Sequence, residues 1–121
     1  MLDKFKAWAA ENKFDVNPWF TDTFWLRWCR ARKFDLDKMK EMFTNYMKYR
    51  EEHGIDNILS SFVFEKGEAL KEYYPRGYCG VDKMGRPIYI ERHGLINVDK
   101  VYEIVSDEEL LRGYYQSYEY L

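Results

Sequence analysis

The side chains of this sequence that could take part in catalysis are few and poorly arranged for it. His53 and His93 have no cysteine or carboxylate at the spacing typical of metal ligands, so we expect no zinc site. The sequence contains neither a glycine-rich phosphate loop nor a Gly-x-Ser-x-Gly nucleophile turn. Cys29 lies among aromatic and basic residues, and a small buried thiol is the more common state of such a cysteine. We therefore predict a protein that is not an enzyme and has no catalytic residue, metal or cofactor.

The composition is that of one globular domain with a large share of aromatic residues. Of the 121 residues, 46% are hydrophobic and 19% aromatic, which is enough to bury a core. A formal net charge of -2 disfavours a general nucleic-acid-binding protein, so no nucleic acid is expected as a partner. The two cysteines favour reduced thiols in a cytoplasmic protein over a disulfide scaffold. No apolar run approaches the roughly 18 residues that span a bilayer, so we expect membrane contact to be peripheral and transient.

The first part of the sequence has a helical period. Asn17 and Pro18 indicate a turn after the first helix, and Gly54 ends the third. The third helix is the clearest, because a stripe of apolar residues follows the capping residue Asp35. The three predicted helices cover residues 3 to 12, a segment beginning at Thr21 or Asp22, and a segment from Asp35 to Gly54.

The second part changes from a helical period to a period of two. Residues 76 to 81 and 87 to 91 are predicted to form a β-hairpin around the turn sequence of residues 82 to 85, with Arg86 as a turn residue. One hairpin does not form a stable sheet alone, so its open edge invites a partner chain or a second copy in a homo-oligomer. The predicted helices of this part cover residues 65 to 73, 97 to 104, and a segment from a capping box at Ser106 to Leu121.

Two segments carry patterns that are longer and more specific than the rest. The first, from Phe24 to Asp35, reads FWLRWCRARKFD, and the second, from Asp82 to Tyr89, reads DKMGRPIY. Together they resemble the CRAL-TRIO family, in particular the Sec-fourteen-like phosphatidylinositol/phosphatidylcholine transfer proteins. The resemblance runs from about Asp22 to the end, which is roughly four fifths of the sequence.

The resemblance implies an α+β fold that is mainly α. Residues 1–60 would form the helical N-terminal region of the family, and residues 61–121 would begin its α/β lipid-binding lobe with a β-hairpin and helices. The family's domain continues beyond the position that matches Leu121, so we expect a truncated lobe. Even a drug-sized pocket occupies about 300–1,000 Å³, and a two-tailed phospholipid needs more, so we expect this chain to be too short to enclose one.

The function implied by the resemblance is non-catalytic phospholipid binding and transfer between membranes, with phosphatidylinositol and phosphatidylcholine as ligands. Arg32 and Lys33 match basic residues that hold the inositol phosphate, whereas spacing alone favours a helix cap. Tyr78 and Tyr89 match tyrosines of the choline site, and Tyr118 is a weaker match. The alternative for the hairpin tyrosines is that they pack the sheet.

A different class of function is a helical protein-interaction subunit or scaffold that does not transfer lipid. In that case large aromatic side chains on the surface would anchor a partner, because tryptophan and tyrosine dominate interface hot spots. The candidate anchors are Trp8, Trp19, Trp25 and Tyr49.

Overall fold

The computed structural model describes residues 1–14 and 20–120, which divide into two compact units, Met1–Gly54 and Ile55–Leu121. The described residues contain seven α-helices and one two-stranded antiparallel sheet. The prediction of a mainly α fold with a small β component is therefore confirmed. The predicted turn at Asn17 and Pro18 and the candidate anchor Trp19 lie outside the described residues. The boundary between the family's helical N-terminal region, residues 1–60, and the start of its lipid-binding lobe, residues 61–121, stays a prediction.

The first unit consists of the three helices that the sequence predicts. They are α1 (Leu2–Glu11), α2 (Asp22–Ala31) and α3 (Leu36–Glu52). Asp35 caps α3 as expected, because its Oδ1 accepts a hydrogen bond from the Lys38 amide at 3.2 Å. Thr21 occupies the cap position of α2 without a side-chain hydrogen bond. Gly54 follows α3 with a φ of +59°, a left-handed conformation that glycine adopts without steric cost.

Aromatic rings fill the core of the first unit around Phe43. The Phe43 ring lies 5.6 Å from Phe5 and 5.3 Å from Trp28, both edge to face, and 5.1 Å from Trp25. Trp25 is only 2% exposed, so the expectation that it is an exposed anchor is wrong. Its ring packs against α1 and α3 because it lies on the apolar face of α2, and its Nε1 donates to the Phe20 carbonyl at 3.0 Å.

Three other residues singled out in the sequence also lie in this unit. Cys29 is fully buried in the core, which confirms its prediction as a core thiol. Trp8 is half-buried and stacks on Phe5 at 5.8 Å, so it too contributes mainly to the core. Tyr49 is 44% exposed, as the anchor hypothesis requires.

The second unit begins with short helical pieces. A 3-10 turn at Ile55–Asn57 leads into α4 (Ile58–Ser61), and both were missed by the sequence prediction. The helix predicted over residues 65 to 73 is reduced to the single turn α5 (Gly67–Leu70). A further turn follows it, in which the amides of Tyr73 and Tyr74 both donate to the Leu70 carbonyl.

A hairpin and two helices complete the second unit. The strands are β1 (Arg76–Val81) and β2 (Pro87–Glu91), as predicted, and no third strand pairs with them within residues 1–14 and 20–120. After a 3-10 turn at His93–Leu95 come α6 (Val98–Ile104) and α7 (Asp107–Glu119). The capping box at Ser106 is confirmed, since its side chain and that of Glu109 each bond the other's backbone amide. The core of this unit is formed by the buried residues Leu70, Tyr74, Val101 and Val105.

The turn of the hairpin is held by one aspartate. Asp82 Oδ1 accepts hydrogen bonds from the amides of Met84, at 2.8 Å, and Arg86, at 3.0 Å. The Arg86 guanidinium pairs with Asp82 Oδ2 at 2.6 Å, which confirms its role as a turn residue. These hydrogen bonds lower the pKa of the Asp82 carboxyl. The turn fixes a register that pairs Tyr78 with Tyr89 and Arg76 with Glu91.

Candidate functional site

The candidate site is a partly open pocket of about 640 Å³ in the second unit. That volume is within the usual range of small-molecule sites. The hairpin supplies one wall, α5 and the residues around it a second, and α7 a third. The lining includes Leu59, Phe64, Leu70, Arg76, Tyr78 and Tyr89.

Tyr78 and Tyr89 are brought together at this pocket by the hairpin register. Their ring centroids lie 5.0 Å apart, and side chains of directly paired residues point to the same face of a sheet. The Tyr78 hydroxyl donates to the Ser117 carbonyl of α7 at 2.9 Å, so it ties the hairpin to that helix. The Tyr89 hydroxyl donates to Glu91 Oε1 at 2.8 Å. Both tyrosines therefore pack the hairpin and also line the pocket.

Glu91 is the acceptor at the centre of a polar network behind these rings. Its Oε1 accepts hydrogen bonds from Tyr89 and, at 3.5 Å, from the Tyr74 hydroxyl, while its Oε2 lies 2.6 Å from His93 Nε2. Burial acts to raise the pKa of Glu91, but the hydrogen bonds from His93 and Tyr89 outweigh it and lower the pKa. Burial and the hydrogen bond to Glu91 raise the pKa of Tyr89. Glu91 therefore stays ionised and Tyr89 stays a donor.

Arg76 lies on the same face of the hairpin as Tyr78 and lines the pocket. Its guanidinium carbon is 4.5 Å from the ring centroid of Tyr74 and 4.0 Å from that of Tyr114, in cation–π contact with both. The hydroxyls of those two tyrosines are hydrogen-bonded to each other. Burial and this hydrogen bond raise the pKa of Tyr114, although the charge of Arg76 acts in the opposite direction. The cation is thus held in a fixed place by aromatic rings.

Tyr118, the third predicted tyrosine, lies on α7 and is 57% exposed. Its ring stacks on Tyr114 at 6.4 Å, and it is not among the described residues that line the pocket. Its place in a headgroup site stays a prediction.

Arg32 and Lys33 belong to the first unit, directly after α2. The Arg32 guanidinium donates to the Ala31 carbonyl at 3.2 Å, a contact expected of a residue that caps a helix C-terminus. Lys33 has a φ of +51° and Phe34 a φ of +61°, left-handed conformations that are uncommon for residues with a side chain. Strain of this kind is frequent at functional sites but is also found at helix ends. The assignment of Arg32 and Lys33 to a lipid headgroup stays a prediction.

The sequence analysis missed Arg76 and Glu91, although a signal for both was present. Residues two apart on a strand share a face, so Arg76 had to lie beside Tyr78, and Glu91 beside Tyr89. The rings that hold Arg76 come from the turn between α5 and β1 and from α7, forty positions apart in the chain, which no local pattern connects.

The described residues contain neither a metal-binding cluster nor a membrane-spanning helix. Among residues 1–14 and 20–120, no group of three histidine, cysteine or carboxylate side chains is placed to bind a metal ion. None of the helices in that part of the chain is both long enough and apolar enough to cross a bilayer.

Comparison with known proteins identifies relatives but no matching family model. The phosphatidylinositol/phosphatidylcholine transfer proteins SFH9 and SFH4 of Arabidopsis thaliana are 44% and 45% identical over 94 residues, which is 78% of this chain and 16% of each relative. The SEC14 cytosolic factor of Kluyveromyces lactis is 41% identical over 98 residues, 81% of this chain and 33% of that protein. The chain thus spans a third or less of the length of these relatives. By this similarity the chain belongs to the Sec-fourteen-like group of the CRAL-TRIO family.

Proposed function

We propose that this chain is a phospholipid-binding segment of a protein that exchanges phosphatidylinositol and phosphatidylcholine between membranes without catalysis. The observation that carries the proposal is the 640 Å³ pocket, which has apolar side chains and two tyrosines in one lining. The names of the relatives add the ligand class, because SFH9 and SFH4 are named as transfer proteins for these two lipids.

The lining suits an amphipathic ligand. Leu59, Phe64 and Leu70 offer apolar contact for the start of an acyl chain, where burial contributes about 0.8 kcal/mol per methylene group. Tyr78 and Tyr89 combine ring faces with hydroxyls and suit the polar end of a lipid. In this proposal exchange consists of docking on a membrane surface, release of one lipid and capture of another. No covalent bond changes.

The remaining parts of the proposal follow the resemblance. Arg32 and Lys33 would bind the inositol phosphate, and Tyr118 would contribute to the headgroup site beside Tyr78 and Tyr89. The protein would be cytoplasmic and peripheral to membranes only while it exchanges lipid. The open hairpin edge would be covered by a second copy or a partner chain.

Native mass spectrometry of the purified 121-residue chain, after incubation with mixed phosphatidylinositol and phosphatidylcholine vesicles, tests the proposal. We expect a phospholipid at a stoichiometric ratio, identified by organic extraction, and the same spectrum reports any dimer. Tyr78→Ala should lower the bound fraction, whereas Tyr49→Ala, at an exposed tyrosine of the first unit, should not. A folded chain that stays free of lipid at saturating vesicle concentration would overturn the proposal.

A further inference from the structure

The guanidinium of Arg76 combines burial with incomplete pairing. Its side chain is only 14% exposed, and its Nη1 atom is buried without a hydrogen-bond partner among the described residues. A buried donor without an acceptor is costly, and an arginine is the donor that matches phosphate oxygens best. Because Arg76 also lines the pocket, an acceptor on a bound ligand would satisfy this donor.

The nearest carboxylate does not meet that need. Glu91 Oε1 is 4.0 Å from Arg76 Nη1, which is beyond hydrogen-bond distance. Both oxygens of Glu91 are engaged by other donors, with Tyr89 on Oε1 and His93 on Oε2. Glu91 therefore offsets part of the charge of Arg76 without supplying the acceptor that Nη1 lacks.

Three other charged side chains line the pocket. Lys71 pairs with Glu68 at 2.5 Å, so these two charges offset each other, and both side chains are largely exposed to solvent. The third of these charged side chains is Glu65. Of the cations in the lining, Arg76 is thus the one that is buried and lacks a hydrogen-bonded carboxylate among the described residues.

The position of Arg76 also determines how well a cationic headgroup would bind in this pocket. It lies two residues before Tyr78 on β1, about 7 Å along the same face of the strand. A quaternary ammonium placed on the rings of Tyr78 and Tyr89 would lie close to the guanidinium and be repelled by it. The rings of Tyr74 and Tyr114 already hold the guanidinium and are not free for another cation.

We propose that Arg76 makes this pocket selective for phospholipids whose headgroup bears a net negative charge over those with a choline headgroup, with its Nη1 donating to a phosphate oxygen. The proposal rests on the proposed function, since it names the lipid class that the same pocket prefers. Arg76 would act as a specificity residue, and the rings of Tyr74 and Tyr114 would position its guanidinium.

Isothermal titration of the full 121-residue chain with dihexanoyl phosphatidylglycerol and dihexanoyl phosphatidylcholine tests the selectivity. These lipids share acyl chains and phosphodiester and differ in the headgroup alcohol, which is neutral glycerol in the first and cationic choline in the second. We expect phosphatidylglycerol to bind about tenfold more tightly, and Arg76→Gln to remove that preference. Arg76→Lys keeps the charge and should retain part of the preference. Arg86→Gln removes a charge from the exposed turn of the same hairpin and should leave the preference intact.

The outcomes separate this inference from the proposed function. Equal affinity for the two lipids, or a preference that survives in a folded Arg76→Gln chain, would overturn the selectivity while leaving lipid binding in place. Absence of binding to either lipid would overturn both. Glycerophosphate, which has the phosphate without acyl chains, should bind far more weakly. If it binds as tightly as phosphatidylglycerol, the pocket is a site for free phosphate esters and the assignment to lipid is wrong. Circular dichroism of each variant shows whether it is folded.

Discussion

The ring of Phe64 lies directly against Gly113 on α7. A Cβ atom built on Gly113 would come within 2.9 Å of two carbons of that ring and 3.1 Å of a third. Phe64 and Gly113 both line the pocket, and the missing side chain at position 113 lets α7 approach the Phe64 ring. The glycine is needed here for space.

Gly113→Ala should therefore destabilise the chain although alanine is the better helix former. The gain in helix propensity is about 1 kcal/mol, while overpacking of a filled site costs about 1–3 kcal/mol. We expect a net loss of about 1 kcal/mol, measured by urea denaturation. Gly94→Ala is the control, because a Cβ there has no heavy atom within 4 Å. A more stable Gly113→Ala chain would mean that the Phe64 ring rotates away at little cost.

Local chemistry explains which elements could be predicted from the sequence. The hairpin depends on a turn in which Asp82 bonds backbone and side-chain donors no more than four residues away, so its bounds follow from a short segment. The caps at Asp35 and Ser106 are equally local. In contrast, the 3-10 turn and α4 at residues 55 to 61 are too short to show an apolar period, and α4 has no side-chain cap. Nothing in that segment therefore indicated them.

The site was only partly predictable because its contacts join distant segments. Tyr78 and Tyr89 could be placed on one hairpin from their spacing. The bond of Tyr78 to Ser117 and the position of Arg76 between Tyr74 and Tyr114 depend on where α7 packs, which the sequence pattern does not specify. Trp25 failed as a predicted anchor for the related reason that three facing rings bury it.

Ser106→Ala should destabilise α7 through loss of its cap. The Ser106 hydroxyl accepts a hydrogen bond from the Glu109 amide at 3.2 Å, and without it that donor at the helix N-terminus is unsatisfied. We expect a loss of about 1 kcal/mol in the free energy of unfolding, measured by thermal denaturation. Ser106→Asn supplies another capping oxygen and should lose little. If the Ser106→Ala and Ser106→Asn variants have the same melting temperature, the cap contributes nothing measurable to stability.

The stability contributed by Glu91 should depend on pH. Since the pKa of Glu91 is lower in the folded state, its contribution is present above the ordinary glutamate pKa of about 4.3 and is lost as the pH falls through the folded value. The Glu91→Gln variant should therefore have a lower melting temperature than the parent chain at neutral pH, and this difference in melting temperature should become smaller in acid. Glu68→Gln is the control, because Glu68 is 83% exposed. A difference that stays constant from neutral pH to pH values below the folded pKa would contradict the role of ionised Glu91.

Lys33 and Lys13 offer a matched pair for testing the predicted phosphate site. Both follow a helix of the first unit in a left-handed conformation, with φ of +51° and +56°, and each backbone amide donates to the carbonyl three residues earlier. Lys33→Gly and Lys13→Gly remove the same charge and relieve the same strain, so each should stabilise the chain by about 1 kcal/mol. If Lys33 binds the inositol phosphate, only Lys33→Gly should weaken binding of short-chain phosphatidylinositol in a titration. Equal affinities for the two variants would leave Lys33 as a helix-terminal residue without a part in lipid recognition.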